Sequence, residues 1–411
     1  MARAWIGGKP APLERALAEA ARLLAASRCP LITGLGTDIA GARAAIGLAE
    51  RIGAVVDHMR ADVLLRDLAV LREAGLMLTT PNEARLRADT LLLVGASLEN
   101  DAPELGKWLG LDPPESTLPA LPPPLAGEGG EGALTTSTEQ AEAPPPYPPP
   151  QAGEGMRERS ERGRGRDQRA ATVVRLCPGR GARPIEGETI VGRDPDQLPT
   201  LLAALRARLA DRPAGKTSVA AKAIADLAAR LKAARFGVAV WSARDLDPLV
   251  IEMLCGLVGD LNAHTRFTGF PIASGDNAVG VLQVCGWMTG FPMRTGFGRG
   301  YPEHDPWRFD GARMVAARET DCVLWVSAYR ATAPSWGAGP PVIALTTGDA
   351  VLGGAAAVQI EVGKPGVDHD GVEHYAPLGT LIAVKATQAS DAISVDDAVG
   401  RIAAAIPEAP R

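Results

Sequence analysis

Cys29-Pro30-Leu31-Ile32-Thr33-Gly34-Leu35-Gly36-Thr37-Asp38 begins as an apolar run and ends on two glycines and an acid. A short apolar run bounded by turn residues reads as a buried strand. An alanine-rich stretch at helical spacing follows over 40–51, and then the run Ala54-Val55-Val56-Asp57, a second strand. Upstream, Pro12 opens a helix to about residue 27, with Leu13, Leu17, Ala20 and Leu24 on one stripe. Downstream, a helix is expected over 61–73 and a strong strand at Thr90-Leu91-Leu92-Leu93-Val94-Gly95. Strands that alternate with helices need parallel crossovers. The expected fold is therefore α/β, with doubly wound parallel sheets.

The Gly34-x-Gly36 turn invites a dinucleotide-binding reading. The third glycine of that fingerprint is missing, because position 39 is Ile39 and Gly41 falls late. A tight strand-to-helix turn is the simpler account. No Gly-x-x-x-x-Gly-Lys-Ser/Thr occurs, which excludes ordinary P-loop chemistry.

The chain has 411 residues, enough for two domains, and 46% apolar residues, enough for substantial cores. A net charge of −5 argues against nucleic acid as a partner. No apolar run reaches membrane-span length or resembles a signal peptide, so a cytoplasmic protein is expected. Cys29, Cys177, Cys255, Cys285 and Cys322 stand alone, with no Cys-x-x-Cys pair to suggest zinc or iron–sulfur binding. Their apolar neighbours are those of buried free thiols in a reducing compartment.

At 113–170 the composition changes abruptly. Pro122-Pro123-Pro124-Leu125-Ala126-Gly127-Glu128-Gly129 nearly repeats as Pro148-Pro149-Pro150-Gln151-Ala152-Gly153-Glu154-Gly155, and an Arg/Gly/Glu run covers 157–166. Such a segment cannot bury enough apolar surface to fold alone, and is expected to be a disordered insertion. The chain then resumes with the strand Thr172-Val173-Val174-Arg175-Leu176, expected to pair beside the Leu91 strand. Helices are expected over 195–210, 218–234 and 247–261, the last with Leu249, Met253 and Leu257 on one stripe. Strands follow at 236–241, 322–327, 341–346 and 357–362, with a short helix at 312–319 and a closing helix near 394–405. The domain division this suggests is a first α/β unit at 1–112 continued in 171–212, a second at 213–362, and a C-terminal segment at 363–411.

Residues 262–309 show almost no periodicity, yet hold nearly half of the chain's Phe, Trp and Tyr. That combination reads as an ordered, loop-rich wall of a pocket or an interface, with glycines at its turns. His264, Arg266, Asp276, Arg294, Arg299, Glu303, His304 and Asp305 lie within it. Its arginines would suit an anionic ligand, or would pair with the neighbouring acids and order the loops. In the tail, Asp368-His369-Asp370-Gly371 with Glu373 and His374 has metal-ligating residue types, but its spacing matches no common zinc pattern and its composition is that of a tight turn. No nucleophile elbow or activated cysteine is evident.

Arg266-Phe267-Thr268, Gly275-Asp276-Asn277, the run from Gln283 through Gly286-Trp287-Met288-Thr289-Gly290-Phe291-Pro292, and Phe297-Gly298-Arg299-Gly300-Tyr301-Pro302 together resemble the B subunit of formylmethanofuran dehydrogenase. Pro30-Leu31-Ile32-Thr33-Gly34, Gly53-Ala54-Val55-Val56-Asp57 and Lys364-Pro365-Gly366-Val367-Asp368-His369-Asp370-Gly371 extend the resemblance to nearly the whole chain outside the insertion. It implies two Rossmann-like units of the molybdopterin-oxidoreductase type. The redox subunit carries an N-terminal cysteine cluster for a four-iron centre, whereas no cysteine precedes Cys29 here. It also carries a cysteine–histidine pair at the molybdenum or tungsten, whose position falls near Val63-Leu64-Leu65-Arg66-Asp67. Leucine cannot ligate a metal.

A related family lacks both sites: the B subunits of the bacterial formyltransferase/hydrolase complex. The resemblance implies a non-catalytic structural member of a complex that transfers formyl from formyl-tetrahydromethanopterin to a methanofuran analogue and releases formate. It implies A, C and D subunits as partners, with zinc and the methanofuran analogue held there and no cofactor or metal in this chain. Asn277, Trp287, Arg294 and Arg299 are the candidates for a vestigial pterin pocket. The alternatives are a working molybdenum or tungsten subunit, and a binding module that keeps an anionic ligand in that pocket.

Overall fold

The computed structural model describes residues 3–96, 98–111, 171–180, 182, 185–273, 275–337, 339–348 and 356–407. The expected insertion at 113–170 lies outside the described residues. Strands are β1 (Ala4–Ile6), β2 (Lys9–Ala11), β3 (Pro30–Gly36), β4 (Val55–Val56), β5 (Thr90–Val94), β6 (Thr172–Leu176), β7 (Thr189–Val191) and β8 (Phe236–Trp241). They continue as β9 (Arg266–Pro271), β10 (Thr295–Gly296), β11 (Glu303–His304), β12 (Cys322–Ser327), β13 (Val342–Thr346), β14 (Ala356–Glu361), β15 (Gly371–Tyr375) and β16 (Thr380–Val384).

Two α/β sheets and one hairpin result. The larger sheet runs β11-β10-β4-β3-β12-β13-β14-β1-β2, and the smaller runs β7-β6-β5-β8-β9. The smaller sheet is parallel throughout, and β6 pairs with β5 from Thr90↔Thr172 to Val94↔Leu176, as expected. In the larger sheet β4, β3, β12, β13 and β14 are parallel, while both edges are antiparallel. β3 and β5 are buried at every position, which requires cover on both faces.

Helices supply that cover. The larger sheet buries Leu17 and Leu24 of Leu13–Ala26, Ile46 of Ile39–Ile52 and Val399 of Val395–Ala405 on one face. Phe309, Met314 and Trp325 pack on the other. The smaller sheet packs Leu201 of Leu198–Leu209, Leu227 of Ala221–Ala233 and Leu254 of Pro248–Asn262 on one side, and Leu98, Leu105 and Leu109 on the other. The helix ends are capped where the sequence supplies a short polar side chain. Asp38 accepts from the Gly41 amide, Asp247 from Val250 and Ser394 from Asp397.

The sheets correct the sequential domain division. β3 and β4 join β12, β13 and β14, some 290 residues further on, rather than β5 and β6. The smaller sheet is therefore inserted between the two halves of the larger one. Strand pairing is a long-range choice, and chain order carries no record of it. The segment 262–309 is also more regular than expected. It holds β9 and the helix Ala278–Thr289. That helix reads Ala-Val-Gly-Val-Leu-Gln-Val-Cys-Gly-Trp-Met-Thr, apolar nearly all round, so it shows no amphipathic stripe. Gly290, at φ 80, ends it. In Pro248–Asn262 the buried face is Val250, Ile251, Leu254, Leu257, Val258 and Leu261, while Leu249 is exposed.

Candidate functional site

In an open parallel sheet the crevice forms where strand order reverses, outside the carboxyl ends of the strands. In the larger sheet that point is β3, with β4 on one side and β12 on the other. A cavity of about 210 Å³ opens there. Asp57, His58 and Arg60 reach it from the turn after β4, Thr33 and Trp325 from the sheet, and Arg294 and Asp310 from the long loops.

Arg294 is the centre of its charge. Its Nη2 meets Asp62 and lies 2.7 Å from an Asp310 oxygen, and its Nη1 donates to the Pro306 carbonyl at 2.7 Å. Its Nε stands 3.6 Å from Asp57 Oδ1. Asp57 accepts from the His58 amide at 2.8 Å and the Gly311 amide at 2.9 Å. Burial nevertheless pushes its carboxyl up to about 7, against the pull of Arg294 and the two amides. Burial drives His58 the other way, down to about 4, although Asp276 favours its charged form. The His58 ring is thus neutral near pH 7, and its Nδ1 accepts from the Arg60 amide at 2.9 Å.

A second knot closes the crevice. Asp276, almost fully buried, takes Arg330 at 2.7 Å and Arg60 at 3.4 Å. Asn277 donates to the Thr37 carbonyl and accepts from the His374 amide, each at 2.9 Å, and so ties the end of β3 to β15. Leu35, Asp276, Asn277 and Arg294 all have φ between 53° and 63°. L-residues adopt this region at a cost, and such positions concentrate at functional crevices.

The sequence candidates therefore separate. Asn277 and Arg294 serve the crevice, Asn277 as a backbone clamp and Arg294 inside the cavity. Trp287 is 64% exposed at the end of its helix, and Arg299 is a surface residue paired with Glu303 at 3.3 Å. Neither lines the cavity. Arg294 takes Asp57 and Asp62 from a remote segment and Asp310 from the nearby loop, and Asp276 takes Arg60 and Arg330, rather than either pairing with Glu303 or Asp305. Sequence reasoning misses Asp57, His58, Arg60 and Asp310 as site residues. Their available signal is position: the first three follow a strand directly, at its carboxyl end.

The donor set does not fit a molybdenum or tungsten ion. Residues 63–67 lie within the helix Ala61–Ala74, where Val63 and Leu64 are buried in packing. Arg66 donates to the Ala243 and Arg244 carbonyls, and Asp67 accepts from Trp241 Nε1 at 2.8 Å. No cysteine lines the cavity. In the tail, Asp368 accepts from the Lys364 amide and Asp370 pairs with Lys385, so 364–371 is the expected turn. Among the described residues, no group of three or more His, Cys, Asp or Glu is arranged to hold a metal.

The chain is distantly related in sequence to B subunits of formylmethanofuran dehydrogenase. The B subunit of tungsten-containing formylmethanofuran dehydrogenase 2 of Methanocaldococcus jannaschii is 25% identical over 338 residues, 77% of this chain and 64% of that protein. The B subunit of the formyltransferase/hydrolase complex Fhc of Methylorubrum extorquens is 34% identical over 365 residues, 88% of this chain and 85% of that one. The crystal structure of that organism's FhcABCD complex with methylofuran contains a chain that matches with a TM-score of 0.76 at 30% identity, over 98% of both chains. The chain belongs to the family of formyltransferase/hydrolase complex B subunits. No protein-family model matches it.

Proposed function

We propose that this chain is the B subunit of a formyltransferase/hydrolase complex and is itself a structural, non-catalytic member. Its partners, the A, C and D subunits, carry the formyl transfer from formyl-tetrahydromethanopterin to a methanofuran analogue and the release of formate. The zinc and the methanofuran analogue belong to those partners, and the assembly is cytoplasmic. One observation supports this reading most. In the cavity beside β3 most charged groups are matched to one another, although the buried His58 Nε2 and Arg294 Nε have no hydrogen-bond partner. Arg294 faces three carboxylates and Asp57 is held by two backbone amides, while 63–67, outside the cavity, is committed to packing and to bonds with Trp241, Ala243 and Arg244. Three acids around one guanidinium also oppose an anionic ligand at Arg294. Five unpaired cysteines fit a reducing compartment. Among the described residues, no helix is long and apolar enough to cross a membrane.

The test is purification of the chain from its host and assay of the complex. Partner subunits should co-purify, without stoichiometric molybdenum or tungsten. The pair Asp57→Asn and His58→Gln should leave formyl transfer within about twofold, the size of an indirect effect. Recovery as a lone monomer would refute the complex. A drop in kcat of about a hundredfold at unchanged subunit stoichiometry would refute the non-catalytic role.

A further inference from the structure

The last turn of the helix Ala278–Thr289 and the loops that follow it carry an unusual surface. Trp287 is 64% exposed, Phe291 39%, Tyr301 52% and Trp307 70%, with Met288 beside them at 42%. These are residues that a monomer buries, and Trp, Tyr and Met are the types enriched at the centres of protein interfaces. An aromatic side chain buries about 150–250 Å², so the four rings present on the order of 450 Å². One side of a stable interface needs roughly 800 Å². The rings alone supply more than half of that.

The surface is also built rather than loose. Phe291 stacks on His304 with ring centroids 6.2 Å apart, and His304 Nδ1 lies 3.0 Å from the Arg294 carbonyl. Arg313 lies 4.3 Å from the Trp307 ring centroid, and its guanidinium is pinned by Glu319 and by the Trp307 and Arg308 carbonyls. Asp305 caps the turn by accepting from the Trp307 and Arg308 amides at 3.0 and 2.8 Å. Arg299 and Glu303 form a charged rim beside Tyr301. Rings held in place before binding lose little freedom on docking, which favours affinity. The neighbouring strand β11 is the edge of the larger sheet, so the patch lies at an open end of the fold.

We infer that this face, centred on Trp287, Phe291, Tyr301 and Trp307, docks a different subunit of the same complex through an apolar surface on that partner. The inference rests on the proposed membership in a hetero-oligomer. A second copy of this chain is the competing occupant. The apolar centre with a mixed-charge rim sets no like-charge repulsion against a neutral apolar partner patch.

The test compares the full complex built with the wild-type chain, with Trp287→Glu plus Trp307→Glu, and with Leu86→Glu as a control. Leu86 is 69% exposed and lies on Pro81–Arg87, beside the smaller sheet. Both Trp substitutions are at exposed positions, and the thermal transition of the full-length variant chain reports whether it folds. The expected result is loss of partner subunits from the double variant at an unchanged transition. Each ring should weaken association about thirtyfold or more, as a hot spot does, and Leu86→Glu should assemble normally. Normal assembly of the double variant would overturn the inference. So would an intact hetero-complex with altered self-association of the chain, which would assign the face to a second copy. Failure of the wild-type chain to recover any partner would refute the complex itself, a different outcome from either.

Discussion

Arg294→Met removes the guanidinium that stands among Asp57, Asp62 and Asp310 and replaces it with an apolar chain of similar length. Removing one member of a buried ion pair costs about 3–5 kcal/mol. The Asp62 side chain is 64% exposed, so water screens its share and the lower part of that range applies. A second component depends on pH. Asp57 takes up a proton in the fold at about 7, above its ordinary 3.8, so the stability linked to it is full below pH 4 and falls as pH rises to about 7. Above 7 the wild-type carboxylate is ionised in the folded state too, and the decline stops. Arg294 is the main group that favours that ionised form. Without it the carboxyl titrates higher, and the decline continues above pH 7 at about 1.4 kcal/mol per pH unit. His58 has the opposite sign, since its stabilisation is present above 6.5 and is lost as pH falls through about 4. It faces Asp276 and Arg60 rather than Arg294, so it cancels between the two proteins. Thermal unfolding of the full-length chain at pH 5.5, 7 and 8 reads the difference. The variant should lose about 3 kcal/mol at pH 5.5 and about 1 kcal/mol more at pH 8. A loss that is the same at all three pH values, or no loss at all, would refute the assignment of Arg294 as the counter-charge of Asp57.

Three further outcomes follow from the packing. Gly237→Ala places a Cβ 2.0 Å from the fully buried Phe267 ring, so denaturant unfolding should show a loss of about 1–3 kcal/mol or more, and an unchanged midpoint would contradict the β8–β9 register. Burial holds the Cys177 and Cys255 thiols up at about 11 and Cys322 at about 12, so a disulfide-exchange reagent at pH 7.5 should reach half-buried Cys29 first and these three only after denaturation; fast labelling of native Cys322 would count against the core as described. Deleting 119–168 should keep complex assembly and shift stability by less than about 1 kcal/mol, because Leu111 and Ala171, on either side, pack against one cluster; loss of assembly would assign the segment a docking role.

Local pattern carried the elements whose burial is one-sided or complete. The helix at Leu13–Ala26 has a clean apolar stripe, and β3, β5, β8 and β12 are short apolar runs between turn residues. It failed at Ala278–Thr289, where an apolar circumference removes the period, and at Pro81–Arg87, whose Thr80 cap and Pro81 were the only signals. It also set Leu249 on the buried face of its helix, because three apolar residues at near-helical spacing do not say which of two overlapping stripes meets the sheet.

By itself, the sequence determined the α/β class, the lack of any cysteine or histidine at 63–67 and, through the motif at 283–302, the family. These depend on residue identity and short-range spacing, which the chain displays directly. Tertiary structure decided that β3 pairs with β12 across nearly 300 residues, so that the smaller sheet is an insertion into the larger one. It also decided which arginine enters the crevice. Arg294 and Arg299 are five residues apart and look alike in sequence. Arg294, at φ 62, turns inward to Asp57 and Asp310, whereas Arg299 remains at the surface with Glu303. Asp57 and Asp62 lie more than 230 residues away in the chain, and only folding brings their charge within reach.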